Sequence, residues 1–214
     1  NPVEVDWISS HWEQESHALG ITEDTEFGPR PVSGAFWGCQ WDGLISRLVN
    51  HATIFLHLAS MPHKRRIMRL SSDAAKICQR MGINPTYTVF RQVCSVEMIQ
   101  RHIGDRFRND RVHMMVIGDG IGMLSSVFKA AFPNSTIILV DIGKSLMYQA
   151  YYVQKAHPDC VHELADSVTD PDQVDFISSP AEDLNLLKDL RLDATANVAS
   201  MQEMNSTTIE IYFT

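Results

Sequence analysis

The sequence predicts an α/β protein with a doubly wound parallel sheet in its C-terminal half and a mainly helical region before it. Three observations carry that reading. From Val112 onward, short apolar runs alternate with segments of helical period; a glycine-rich turn follows the first run; and before Arg111 apolar residues recur at three- and four-residue steps. The division is placed between residues 1–108, the helical region, and 109–214, the sheet-forming domain.

Residues 20–34, broken by Gly28-Pro29-Arg30-Pro31, carry no period and are expected to be an irregular connection after short helical material holding Trp7 and Trp12. In residues 41–59, Leu44, Leu48, Ala52, Phe55, Leu56 and Ala59 recur at helical steps, predicting a helix with one buried stripe. Further helices are expected over 67–81, stopped by Gly82-Ile83-Asn84-Pro85, and over 90–103, stopped by Gly104-Asp105. Residues 112–117 read as a central parallel strand, because the run is mostly apolar and ends at a glycine. Leu124, Val127, Phe128 and Ala131 predict the next helix, ended by Pro133-Asn134, and residues 136–141 the second strand. A helix over 144–157, a third strand over 174–178, a helix from Pro180 and a fourth strand over 193–199 continue the alternation. Thr207-Thr208-Ile209-Glu210 reads as a capping box opening a final helix. The chain starts at Asn1 without Met and stops in mid-pattern, so the sheet is expected to lack its C-terminal strands.

Composition narrows the function. Hydrophobic residues make up 44% of the 214, with 11 glycines and 9 prolines, enough apolar mass for a core without staples. Eighteen basic against 26 acidic side chains give a net charge of −8, which repels phosphate backbones and argues against nucleic acid as a partner. No apolar run reaches the roughly 18 residues of a membrane span. Cysteines at 39, 78, 94 and 160 form no C-x-x-C pair, which fits free thiols in the cytoplasm.

The turn Gly118-Asp119-Gly120-Ile121-Gly122 falls after the first strand, where an open parallel sheet meets its ligand. Glycines let the backbone turn tightly there, and the helix that follows offers unpaired N–H groups. Asp141, with Ile142 beside it, ends the second strand, where a carboxylate can accept both hydroxyls of a ribose. A nucleoside-containing cofactor follows, in a Rossmann-like fold. The dinucleotide pattern G-x-G-x-x-G needs a third glycine where this chain has Met123, so the spacing suits S-adenosylmethionine instead. The bland alternative is that the glycines only shape a turn and Asp141 only ends a strand.

Val116–Met123 (VIGDGIGM), Val140–Leu146 (VDIGKSL), Ala181-Glu182-Asp183-Leu184 and the string Asn197-Val198-Ala199-Ser200-Met201-Gln202-Glu203-Met204-Asn205 resemble class I methyltransferases. The similarity is to the sugar O-methyltransferases of bacterial surface-polysaccharide gene clusters, and Phe90-Arg91-Gln92 and Glu97-Met98-Ile99 extend it upstream. The resemblance implies a seven-stranded sheet and methyl transfer from S-adenosylmethionine to a sugar hydroxyl in a polysaccharide or its precursor. It implies cofactor contacts from Gly118, Asp119, Gly120, Gly122, Asp141, Ile142, Ser179, Ala181, Glu182 and Asn197, and catalytic roles for Glu203 and Gln202. The acid expected directly after the third strand is replaced by a residue near Pro180, with Glu182 two positions later. Glu203 is read as a general base, an acceptor-holding group or half of an ion pair.

Rival readings stay open: a nucleotide-dependent oxidoreductase or epimerase, and a non-catalytic cofactor-binding module. Ser179-Pro180-Ala181-Glu182 is also a capping box. His157, Asp159, Cys160, His162 and Glu163 are metal-ligand types at a spacing that fits no familiar site, so no metal is expected. His63-Lys64-Arg65-Arg66 reads as a solvated helix start, or alternatively as a contact for a phosphorylated acceptor; His113, within the first strand, reads as a satisfied core histidine rather than a catalyst; Trp37 and Trp41 read as packing residues, with sugar stacking as the alternative. The partners expected are a sugar or glycan acceptor and, compatibly, further copies of the chain.

Overall fold

A computed structural model describes residues 20–24, 28–33, 44–104, 111–198 and 200–212. The expectations for Trp7, Trp12, Trp37, Trp41 and the N-terminal helical material lie outside these residues. Strands β1 (Gly20–Asp24) and β2 (Gly28–Ser33) pair as an antiparallel ribbon, Thr22 opposite Arg30, which corrects the irregular connection expected there. Pro29 and Pro31 read as breakers. Their spacing of two lets both fall at positions whose N–H faces away from the partner strand.

Three helices follow: α1 (Leu44–Ser60), α2 (Lys64–Met81) and α3 (Tyr87–Ile103). In α2 the positions Ile67, Leu70, Ala74, Ile77, Cys78 and Met81 are buried at three- and four-residue steps, as an amphipathic helix requires. Helix α1 forms as expected, but its orientation corrects the sequence reading. Leu48, Ala52, Phe55, Leu56 and Ala59 are exposed, and the opposite face, through Ile54 and Leu58, meets the core. Both faces of α1 are apolar, so periodicity alone could not say which one is buried.

The remaining elements are β3 (Val112–Ile117), α4 (Met123–Ala131), β4 (Ser135–Asp141), α5 (Gly143–Ala156), β5 (His162–Leu164), β6 (Phe176–Pro180), β7 (Ala194–Asn197) and α6 (Ser206–Ile211). The five strands β3 to β7 form one sheet in the order β5-β6-β4-β3-β7, with every pairing parallel. The fold is Rossmann-like and doubly wound. The short edge strand β5 is additional to the four strands expected. A 3-10 segment, Ala181–Leu187, kinked at Asp183, replaces the helix expected from Pro180.

Alternation along the strands separates two cores. Met114, Val116, Ile137, Leu139 and Phe176 face a layer made by α2, α3, α4 and α5, and buried residues of all these elements form one cluster. Met115, Ile117, Ile138, Val140 and Ile177 face the other side, where Leu187, Leu184 and Tyr212 cover them. Each fully buried aliphatic or aromatic side chain contributes roughly 1.5–3 kcal/mol, so a one-residue register slip would exchange the two sets and lose both cores.

At the amino ends of the strands, buried Lys129 on α4 donates to the Ser135 carbonyl at 2.5 Å and to Asp175 Oδ1 at 2.6 Å. Arg111 bonds Thr136 Oγ1 and the Val174 carbonyl nearby. His113, as expected, is satisfied: its ring bonds Asp172 Oδ1 at 2.9 Å and the Arg191 carbonyl at 3.1 Å. The ring nitrogens of His157 and His162 are engaged by the carbonyls of Ser126 and His157. No group of three or more metal-ligating side chains occurs among the described residues.

Candidate functional site

Strand β3 is the first of the sheet. Strands β4 and β6 build to one side of it, and the chain then returns to place β7 on the other. This reversal puts the topological switch point at the carboxyl ends of β3 and β7, where doubly wound sheets hold ligands in a crevice. The glycine turn and Asn197 lie at those two ends, and Asp141 ends the neighbouring strand.

Asp141 is buried, and its Oδ1 accepts the Ile142 N–H at 2.9 Å, so Ile142 acts through its backbone at the start of α5. The Gly120 N–H also bonds this carboxyl, tying the glycine turn to the β4 tip. Burial raises its pKa to about 7, against those two bonds, with the charges of Asp119 and Glu182 adding to the rise. A carboxyl at that poise ionises readily when a ligand brings hydroxyl donors to it.

Asp119 is used differently. Its two oxygens accept the N–H groups of Leu124 at 3.0 Å and Ser125 at 2.7 Å, capping α4 from three residues before its N-cap, Gly122. Burial lifts its pKa to about 6 despite these bonds. The Asp119 carboxyl therefore engages two of the unpaired N–H groups at the start of α4 itself.

The glycines at 118 and 122 answer to neighbours in the fold. Both have positive φ, and a Cβ at Gly118 would collide with Ser200, one at Gly122 with Val153 of α5. Close packing accounts for these two positions without a ligand. Asn197 also turns inward: Nδ2 donates to the Ile117 carbonyl at 3.0 Å and to Ser200 Oγ, while Oδ1 accepts the Met201 N–H. Ser200 Oγ donates to the same Ile117 carbonyl at 3.1 Å. The pair binds the turn after β7 to the end of β3, so Asn197 positions that turn. The importance of Ser200 had no signal in the sequence beyond its small size.

That turn, Met201–Glu203, carries the two residues expected to be catalytic. Gln202 is exposed on it, and the side chain of Glu203 lies outside the described residues. At the β6 tip Ser179 is wholly buried and its hydroxyl has no hydrogen-bond partner among the described residues; the expected capping box does not form, because Ser179 and Pro180 both belong to the strand and Pro180, not Ser179, is the N-cap of the next segment. Ala181 is buried at the base of this segment, while Glu182 is exposed beside Asp141. The final capping box is also replaced: Asn205 caps α6 by accepting the Thr208 N–H at 2.8 Å.

Tyr212, just after α6, was missed by the sequence reading. It packs into the second core close to Asp141 and Glu182, and burial, reinforced by their charges, raises its hydroxyl pKa. Compared with protein-family models and with curated proteins, the chain matches none.

Proposed function

We propose that the crevice binds S-adenosylmethionine and that the protein is an O-methyltransferase acting on a hydroxyl of a sugar in a bacterial surface polysaccharide or its precursor. The observation that carries the reading is Asp141, a buried carboxyl at the β4 tip, bonded to the glycine turn and adjacent to the switch point. The resemblance of residues 116–123, 140–146 and 197–205 selects the cofactor. The residues fit a nucleoside: Asp141 supplies the acceptor for ribose hydroxyls, and the unpartnered Ser179 hydroxyl marks an unmet polar group at the adenine side. The thiols of Cys94 and Cys160, which form no disulfide, support a cytoplasmic setting.

When bound, S-adenosylmethionine supplies an electrophilic methyl group on a sulfonium. Asp141 orients the nucleoside. Asn197 and Ser200 fix the turn after β7 against β3, and Glu203 on that turn takes the proton of the acceptor hydroxyl as its oxygen gains the methyl.

Calorimetry with S-adenosylhomocysteine and, separately, NAD tests the cofactor class. Binding of S-adenosylhomocysteine is expected; tight binding of NAD alone would replace the reading with an oxidoreductase or epimerase. Binding without turnover on any sugar acceptor would favour a non-catalytic module.

A further inference from the structure

Helix α1 carries more apolar surface than the fold uses. Ile54 and Leu58 pack toward the core, yet Leu48, Val49, Phe55 and Leu56 are 63%, 60%, 71% and 68% exposed. With Ala52 and Ala59 they cover an arc of about 120° on the helix, at roughly 100° per residue. Exposed aliphatic and aromatic side chains gathered on one stripe mark an interaction surface.

The charge around the stripe says what covers it. From Leu44 to Ser72 the sequence holds Arg47, Lys64, Arg65, Arg66 and Arg69 and no carboxylate, in a protein whose net charge is −8. Helix α2, joined to α1 by residues 61–63 and packed beside it, turns Lys64, Arg65 and Arg69 outward with Met68 among them, itself 57% exposed. Arg66 is partly engaged by Glu97 at 3.6 Å. An apolar helical face flanked by exposed cations is the composition of a segment that lies in the plane of an anionic bilayer surface. A second copy presenting the same face would bring an equal set of positive charges against this one, with no carboxylate from this segment to neutralise them.

We propose that α1 and the start of α2 form a peripheral membrane-binding face, with Phe55 and Leu56 seated among the lipid headgroups and Lys64, Arg65 and Arg69 on lipid phosphates. No described helix is long and apolar enough to cross a membrane, so the contact is interfacial. The inference is independent of the methyltransferase reading, because it uses no residue of the crevice.

Co-sedimentation with vesicles tests it. The protein is expected to pellet with phosphatidylcholine vesicles containing about one third phosphatidylglycerol, to pellet weakly with phosphatidylcholine alone, and to be released by added salt. A Phe55→Ser/Leu56→Ser variant should lose partitioning by about tenfold or more, and Lys64→Glu/Arg65→Glu/Arg69→Glu by a similar factor. These positions are exposed, so circular dichroism and the thermal midpoint should stay at parental values. Absence of wild-type pelleting, or pelleting unchanged in both variants, overturns the proposal. A shift from dimer to monomer in sedimentation equilibrium for Phe55→Ser/Leu56→Ser, with vesicle binding unaffected, overturns it in favour of a second copy.

Discussion

Ser200 lies directly over Gly118, in the space that a side chain at position 118 would need. The two residues belong to different strand ends, and Ser200 and Asn197 share the Ile117 carbonyl that precedes the glycine. Gly118→Ala therefore combines a steric collision with a left-handed backbone, φ +66°. The expected cost is about 2–4 kcal/mol. Ser200→Gly in the same chain should recover part of it, and chemical denaturation of the four proteins of this double-mutant cycle measures the coupling. Additive effects would show that the clash is relieved elsewhere.

Asp141 should link cofactor affinity to pH. Ribose hydroxyls need an ionised acceptor, and the carboxyl titrates at about 7, raised first by burial and then by Asp119 and Glu182. Affinity for S-adenosylhomocysteine is expected to rise from pH 5.5 to about 7.5 and then level. Asp141→Ala should weaken binding about thirtyfold or more, and Asp141→Asn less, with a flat pH profile. Isothermal titration across pH checks both.

The same raised carboxyl affects stability with a definite sign. Between its unfolded value near 3.8 and about 7 the folded state binds the extra proton, so this contribution to stability declines as pH rises through that window. Asp141→Asn removes the ionisation and should stabilise the ligand-free protein above pH 7, by on the order of 2 kcal/mol. Thermal midpoints at pH 5 and pH 8 should show the larger gain at pH 8, since at pH 5 only part of that window has been crossed.

His157 acts in the opposite direction. Burial, followed by Arg80, His162 and Lys129, lowers its pKa to about 4 against the bond to the Ser126 carbonyl. Below about 6.5 the unfolded chain takes up a proton that the folded protein refuses, so stability is lost as pH falls from 6.5 toward 4. His157→Gln should shallow this acid limb by about 2–3 kcal/mol, read from urea midpoints over that range. An unchanged slope would place the acid sensitivity elsewhere, His162 being the next group.

Glu203→Gln keeps shape and hydrogen-bonding capacity but cannot take a proton. Turnover at saturating acceptor is expected to fall about 10²- to 10⁴-fold, with S-adenosylhomocysteine affinity near the parental value. Turnover close to parental would move the base to another residue.

The parallel sheet was legible because β3 and β4 are apolar on both faces, and only buried strands have that composition. Strand β5 escaped notice because His162-Glu163-Leu164 is polar, short and at the sheet edge, where pairing makes few demands on sequence. The site was legible in part. Asp141 follows from strand end and charge, whereas Asp119 and Asn197 are polar residues at the same edge that the fold spends on its own N–H and carbonyl groups. A sequence shows that a carboxylate or amide stands at a strand tip but not which way it turns, since capping and ligand binding ask for the same chemistry.

The cluster that joins Ile67, Leu70, Val93 and Val96 of α2 and α3 to Met114, Leu139 and Phe176 of the sheet bears on how the molecule opens. Lifting either helix would open the cluster that α2, α3, α4, α5 and the sheet share, so neither helix can fray without exposing apolar side chains of the others. Amide protons of α2, α3, β3 and β4 should then exchange with solvent deuterium together, in a single slow class governed by global unfolding.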